Sequence, residues 1–172
     1  MKTSNKDIFQ QLGMSEDHFD QRGLPRYEDA AELVTVQQDE NGRVHELIPE
    51  ACEAWHAMKD AARSEGLEIF IVSAFRSVSR QAEIVQGKYE SGLSNDEIFA
   101  VSAPPGFSEH HTGRAIDVST PGYAVLEEEF EGSEAFAWLH ENAAKFGFTM
   151  TYPRDNEFGF IYEPWHWAYT LT

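Results

Sequence analysis

Two short stretches of the chain carry side chains whose types and spacing suit metal chemistry. Residues 105–119, PGFSEHHTGRAIDVS, set His110 seven residues before Asp117, with Gly113 between them. A neutral imidazole and a carboxylate are both good zinc ligands, at about 2.0 to 2.2 Å. In one straight strand these two side chains would leave opposite faces, so convergence requires a bend, which Thr112-Gly113 supplies. Residues 162–169, YEPWHWAY, set Glu163 and His166 three apart around Pro164. Proline pushes the preceding residue towards extended backbone and cannot donate to a ladder. That argues against a helical pairing and predicts a bent strand carrying both groups to one site. Two histidines and one carboxylate leave a fourth metal position open, the arrangement of a catalytic rather than a structural zinc. Glu163 is then free to act as a base.

Other polar residues carry blander readings. His111 adjoins His110 but falls outside the motif register, which points to a supporting or surface role. His18, His45, His56 and His140 have no carboxylate partner at ligand spacing. Trp165 and Trp167 flank His166 and are expected to fill the core rather than stack on a substrate. The acidic run Glu127-Glu128-Glu129 with Glu131 lacks the alternating oxygen ligands and glycine of a calcium loop, so it reads as a solvated loop. Arg76 is compatible either with a salt bridge or with an anion contact.

The elements that must position these groups follow from periodicity and punctuation. Leu33, Val34 and Val36, then Val44 and Leu47, flank Asn41-Gly42, a strong hairpin signal. Ala51, Ala54, Trp55, Met58 and Ala62 recur at helical spacing between Pro49 and Gly66. Residues 67–74 (LEIFIVSA) read as a central strand delivering Arg76, and a helix over 79–89 follows. Ser94 and Glu97 form a capping box for a short helix through Ala100. Residues 114–119 predict a strand in which Asp117 points away from Ile116 and Val118. Ser133 caps a helix ending at Gly147, and residues 148–152 and 160–169 supply the last strands. A short helix is expected around 6–12. The whole predicts an α+β fold with a small, mainly antiparallel sheet flanked by helices. Its 172 residues are expected to form a single domain, with 1–48 as arm and hairpin and 49–172 as core.

Thirteen basic against thirty acidic residues give a net charge of -17, which repels nucleic acid and anionic lipid. Cys52 is the single cysteine, so no intrachain disulfide forms, and its apolar helical setting reads as a buried small hydrophobe. No stretch approaches the roughly 20 apolar residues of a membrane helix. The N-terminus lacks the apolar region of a signal peptide, so a cytoplasmic location is expected, with the cell envelope open to a chain trimmed of its leader. The oligomeric state is not legible.

The two metal-suited segments, with SAFRS at 73–77 and Gln81, closely resemble the VanY-like D-alanyl-D-alanine carboxypeptidase family. An S-x-H-x-x-G-x-A-x-D pattern is matched by Ser108, His110, Gly113, Ala115 and Asp117, and an E-P-W-H pattern by Glu163 to His166. The resemblance implies the fold shared by hedgehog domains and these peptidases. It implies one zinc ion at His110, Asp117 and His166, with Glu163 as general base and acid. It further implies that Arg76 and Gln81 hold the substrate's terminal carboxylate or the scissile carbonyl region, and that Ser108 contacts the D-residue. The implied activity is removal of the C-terminal D-alanine, across a D,D- or L,D-bond, from peptidoglycan stem peptides. A bidentate clamp by Arg76 on a terminal carboxylate would favour exopeptidase action. Two alternatives stand beside it: an L-alanyl-D-glutamate endopeptidase and a non-catalytic wall-peptide binding module. This chain has Phe75 where many relatives have tyrosine, and Ala168 where many have arginine.

Overall fold

In the computed structural model, which describes residues 9–10, 13–15 and 17–170, a carboxylate organises the first turn. Asp39 Oδ1 accepts from the backbone N–H groups of Asn41 and Arg43, each at 2.9 Å. Gly42 follows at a φ of 79°, a left-handed geometry that glycine adopts without a Cβ penalty. The strands so joined, β1 (Val34–Gln38) and β2 (Val44–Leu47), pair antiparallel, with a register shift between Thr35 and Gln37. That shift is a bulge, which sharpens the local twist.

The helix α2 (Pro49–Ser64) begins on its proline, and Gly66 lies just beyond it at a φ of 82°. Its inner stripe, Ala51, Cys52, Trp55, Met58 and Ala62, is buried. Trp55 and Met58 are fully enclosed, each contributing about 1.5–3 kcal/mol of apolar burial. The strand β3 (Phe70–Ser73) leads to α3 (Val78–Glu90), whose N-cap Ser77 accepts from Arg80 N–H at 3.1 Å. The helix α4 (Asn95–Val101) starts with the reciprocal Ser94–Glu97 capping box. A 3-10 turn (Glu109–Thr112) precedes β4 (Ala115–Ser119). After a second 3-10 turn (Glu128–Gly132) come α5 (Glu134–Asn142), a third 3-10 turn (Ala143–Phe146), β5 (Phe148–Met150) and β6 (His166–Tyr169). A five-residue helix, α1 (Asp17–Gln21), opens the described part of the arm.

Strands β3 to β6 form one antiparallel sheet in the order β3-β4-β6-β5, so the architecture is α+β. The main core lies between this sheet, α2 and α5. A second cluster packs Phe9, Phe19 and Leu24 of the arm against Val85, Ile98, Phe99 and Phe107. No described helix is long and apolar enough to cross a membrane.

Two expectations need correction. The strand expected to be central, β3, is the edge of its sheet. Its outer side is met by a side chain: Gln37 Nε2 donates to the Ile71 carbonyl at 3.1 Å, and Gln37 Oε1 accepts from Ile71 N–H at 3.3 Å. One amide thereby stands in for a neighbouring strand and covers exposed ladder groups. The last strand begins at His166 rather than at residue 160, because Pro164 closes a turn there. Of the helix expected over 6–12, only Phe9 and Gln10 are among the described residues; the remainder lies outside them.

Candidate metal centre

Register alone brings two of the chemical groups together. In the ladder of β4 and β6, Asp117 pairs directly with His166, and directly opposed residues have their Cβ atoms about 4.5–5.5 Å apart. All five residues of β4 are buried, and Asp117 leaves the face opposite Ile116 and Val118. His110 arrives from the 3-10 turn that Gly113 ends at a φ of 66°. A Cβ at Gly113 would stand 3.0 Å from both Ile48 Cγ2 and Leu33 Cδ2. Glycine is therefore demanded twice, by the backbone and by the packing of the hairpin region onto it.

The ligand atoms offered by His110, Asp117 and His166 all lie within 4.8 Å of one another, and all three residues are buried. His110 Nε2 is 3.3 Å from Asp117 Oδ2, and His166 Nδ1 is 3.0 Å from Asp117 Oδ1. The outer nitrogen of each ring is also engaged. His110 Nδ1 meets the Ala74 carbonyl at 2.8 Å, and His166 Nε2 meets Glu109 Oε2 at 2.8 Å. A carbonyl or carboxylate only accepts, so those outer nitrogens carry hydrogens.

The electrostatics favour a cation. Burial alone would raise the Asp117 carboxyl, but the charge and hydrogen bonds of His110 and His166 outweigh it and hold it well below the usual carboxylate range. Burial would lower the His166 imidazole, yet hydrogen bonds to Asp117 and Glu109 push it up to about 10. His110 goes down, burial outweighing the pull of Asp117. Two carboxylates around one ring thus stabilise positive charge at this point, and a divalent ion on the same donors would also supply positive charge here. The donor set fits zinc.

A cleft of about 390 Å³ opens on this cluster, and all seven candidate site residues border it: Arg76, Gln81, Ser108, His110, Asp117, Glu163 and His166. Glu163 is carried by a turn, in which His166 N–H donates to the Glu163 carbonyl at 3.2 Å around Pro164 and Trp165. Proline is well suited to the second position of such a turn. The expected bent strand is therefore replaced by a tight turn, with the same convergence. Glu163 Oε2 lies 3.9 Å from His166 Nδ1. Burial, against the pull of His166 and Arg76, pushes its carboxyl up to about 7.

The other wall is differently built. Arg76 N–H donates to the His110 carbonyl at 3.1 Å, and the Arg76 carbonyl accepts from His111 Nδ1 at 2.6 Å. Its guanidinium is desolvated, and Nε has no hydrogen-bond partner among the described residues. Gln81 Nε2 donates to the Ala103 carbonyl at 2.6 Å, leaving Oε1 without a partner among the described residues. Ser108 Oγ accepts from His110 N–H at 3.3 Å and caps the turn. Lys88 also borders the cleft and donates to Ser102 Oγ at 2.7 Å.

The sequence did not reveal Glu109, Thr151, Tyr152 or Lys88 as parts of this region. Only Glu109 left a signal, a carboxylate adjoining a candidate ligand. His111 is not a surface residue: it is fully buried, and its Nε2 accepts from Gly106 N–H at 3.1 Å. His45, His56 and His140 lie outside the cleft, Trp165 and Trp167 are in the core with Trp165 also bordering the cleft, and Cys52 is buried. Ala168 is buried two residues from His166 in β6 and pairs with Ala115.

A family model described as VanY, D-alanyl-D-alanine carboxypeptidase, matches residues 44–172. The D-alanyl-D-alanine carboxypeptidase of Enterococcus faecalis is 35% identical over 120 residues, 64% of this chain and 43% of that protein. The chain spans less than half the length of the first curated relatives it matches. Among solved structures, the LdcB LD-carboxypeptidase is similar with a TM-score of 0.75 and 33% identity, over 84% of this chain and 71% of that one. The vancomycin resistance D,D-pentapeptidase VanY, solved in complex with Zn(II), is similar with a TM-score of 0.63 and 30% identity, over 85% and 82%.

Proposed function

The chain belongs to the VanY family of D-alanyl-D-alanine carboxypeptidases, and from that premise we propose that it is a zinc-dependent carboxypeptidase releasing the C-terminal D-alanine of peptidoglycan stem peptides. We read it as one peptidase domain, with 1–48 as arm and hairpin and 49–172 as catalytic core. The observation that carries the reading is the convergence of His110, Asp117 and His166 within 4.8 Å, beside a buried carboxyl raised to about 7 at Glu163.

His110 Nε2, Asp117 and His166 Nδ1 are the donors for the metal. Zinc, when bound, supplies Lewis acidity and lowers the pKa of water to about 7. Glu163 takes the proton of the attacking water and returns it to the leaving amine, the two transfers of a general base and acid. Arg76 turns its desolvated guanidinium to the terminal carboxylate of the departing residue, a charge-assisted pairing that selects a chain end. Gln81 presents an acceptor, Oε1, because its amide nitrogen is committed to Ala103. This suits a substrate N–H rather than the carboxylate. Ser108 keeps a hydroxyl hydrogen to offer the D-residue.

The test is incubation of purified protein with tetrapeptide and pentapeptide stems, with and without a chelator, followed by mass spectrometry. Loss of one D-alanine, abolished by chelator and by Glu163→Gln, is expected. Which stem is cut assigns L,D- or D,D-specificity. Release of a whole stem would instead mark an endopeptidase, and no metal-dependent cleavage of either peptide would sink the enzyme reading in favour of a binding module.

A further inference from the structure

Glu109 adjoins one metal donor in sequence but turns its carboxylate to the other. Its Oε2 lies 2.8 Å from His166 Nε2 and accepts the Thr151 hydroxyl hydrogen at 2.7 Å. The side chain is only 14% exposed. Thr151 directly follows β5, on the side of β6 opposite β4. The next residue, Tyr152, stacks on the His166 ring with centroids 4.6 Å apart and planes at 26°. The imidazole is thus held at one edge by Glu109 and on one face by Tyr152, while Nδ1 looks to Asp117 at 3.0 Å. His110 receives no such treatment; its outer nitrogen is met by a main-chain carbonyl that its own β3 connection provides.

We propose that Glu109 is a positioning residue of the metal centre: it holds the hydrogen of His166 on Nε2 and fixes the ring so that the Nδ1 lone pair faces the cation, with Thr151 securing the carboxylate. An ionised carboxylate accepts and never donates, so the edge of the ring it contacts is the protonated edge. Nδ1, 3.0 Å from Asp117 Oδ1, is then the nitrogen that would give up its hydrogen to a cation held jointly with Asp117. A carboxylate behind a ligating imidazole makes the ring a better donor, and loss of such a partner lowers metal affinity by about 10–100-fold. The inference rests on His166 being a metal donor, as proposed above.

The experiment measures zinc affinity by competition with a chromophoric chelator for wild type, Glu109→Ala, Glu109→Gln and Thr151→Val, with circular dichroism confirming each fold. Glu109→Ala is expected to weaken zinc by about 10–100-fold. Glu109→Gln retains an acceptor oxygen and should recover most of that loss, and Thr151→Val should show a smaller loss. In long-range proton–nitrogen spectra of the zinc-loaded wild type, His166 should show a protonated Nε2. A folded Glu109→Ala that binds zinc as tightly as wild type overturns the inference, as does Glu109→Gln failing as badly as alanine. Should Glu109→Ala not fold, the glutamine and Thr151→Val variants decide alone. Wild type that takes up no zinc sinks the metal reading itself, and this inference with it.

Discussion

The two walls of the cleft differ in how completely the protein satisfies its own polar groups. On the sheet side, both outer ring nitrogens of His110 and His166 are occupied, and Asp117 sits in a two-sided ladder. On the helix side, Arg76 Nε and Gln81 Oε1 are buried without a partner among the described residues, although unpaired buried polar groups are rare and cost about 1–3 kcal/mol each. One wall is finished by folding. The other carries free hydrogen-bonding capacity, in a cation and an acceptor on adjoining elements.

The contrast yields a series of tests. Glu163→Gln, at the junction of the two walls, should lower kcat about 100- to 10,000-fold while zinc content by atomic absorption stays at the wild-type level. Lost zinc would mean that Glu163 belongs to the metal-holding set. Arg76→Met should cost about 2–5 kcal/mol in kcat/KM, chiefly through KM. It should leave zinc affinity intact and leave thermal stability equal or higher, since a desolvated cation that forms no ion pair among the described residues is removed. A marked fall in melting temperature would contradict the reading of Arg76 as a group held for a ligand.

His111 ties the helix-side wall to the loop at Gly106, and burial lowers its pKa from 6.5 to about 4. Between those values the unfolded chain binds the proton that the folded one refuses. Stability therefore rises with pH in that window and is lost as the pH falls. Urea unfolding at pH 7 and pH 5 should show a His111-dependent loss of about 2 kcal/mol, absent from His111→Gln. Equal slopes for the two proteins would refute a buried neutral ring. The smallest effect is expected from Ser77→Ala, which removes the cap of the helix bearing Gln81 and costs about 1 kcal/mol. Chelator competition should then read an unchanged zinc affinity, because this cap lies outside the sheet-side wall.

Much of the local structure was legible. The hairpin at Asn41-Gly42, the stripe of α2, the Ser94 and Ser133 caps and the bend at Gly113 each depend on a few neighbouring residues, and the structure contains all of them. The seven candidate site residues also meet in one cleft, although their spacing alone was only suggestive and the resemblance supplied the choice. Less legible were the edge position of β3 and the turn at Glu163, where the apolar pattern of a strand continued across a residue that cannot join a ladder.

By itself, the order of residues determined where helices start and stop, which side of β4 Asp117 occupies, and which donor types exist for a metal, because caps, turns and the two-residue pleat act over a handful of positions. Only the tertiary structure decided that Glu109 serves His166, 57 residues away, that Gln81 offers its oxygen, and that His111 is buried. Those outcomes depend on strand register and on which buried groups are already taken, and a slip of one residue in a ladder would turn every side chain to the other face.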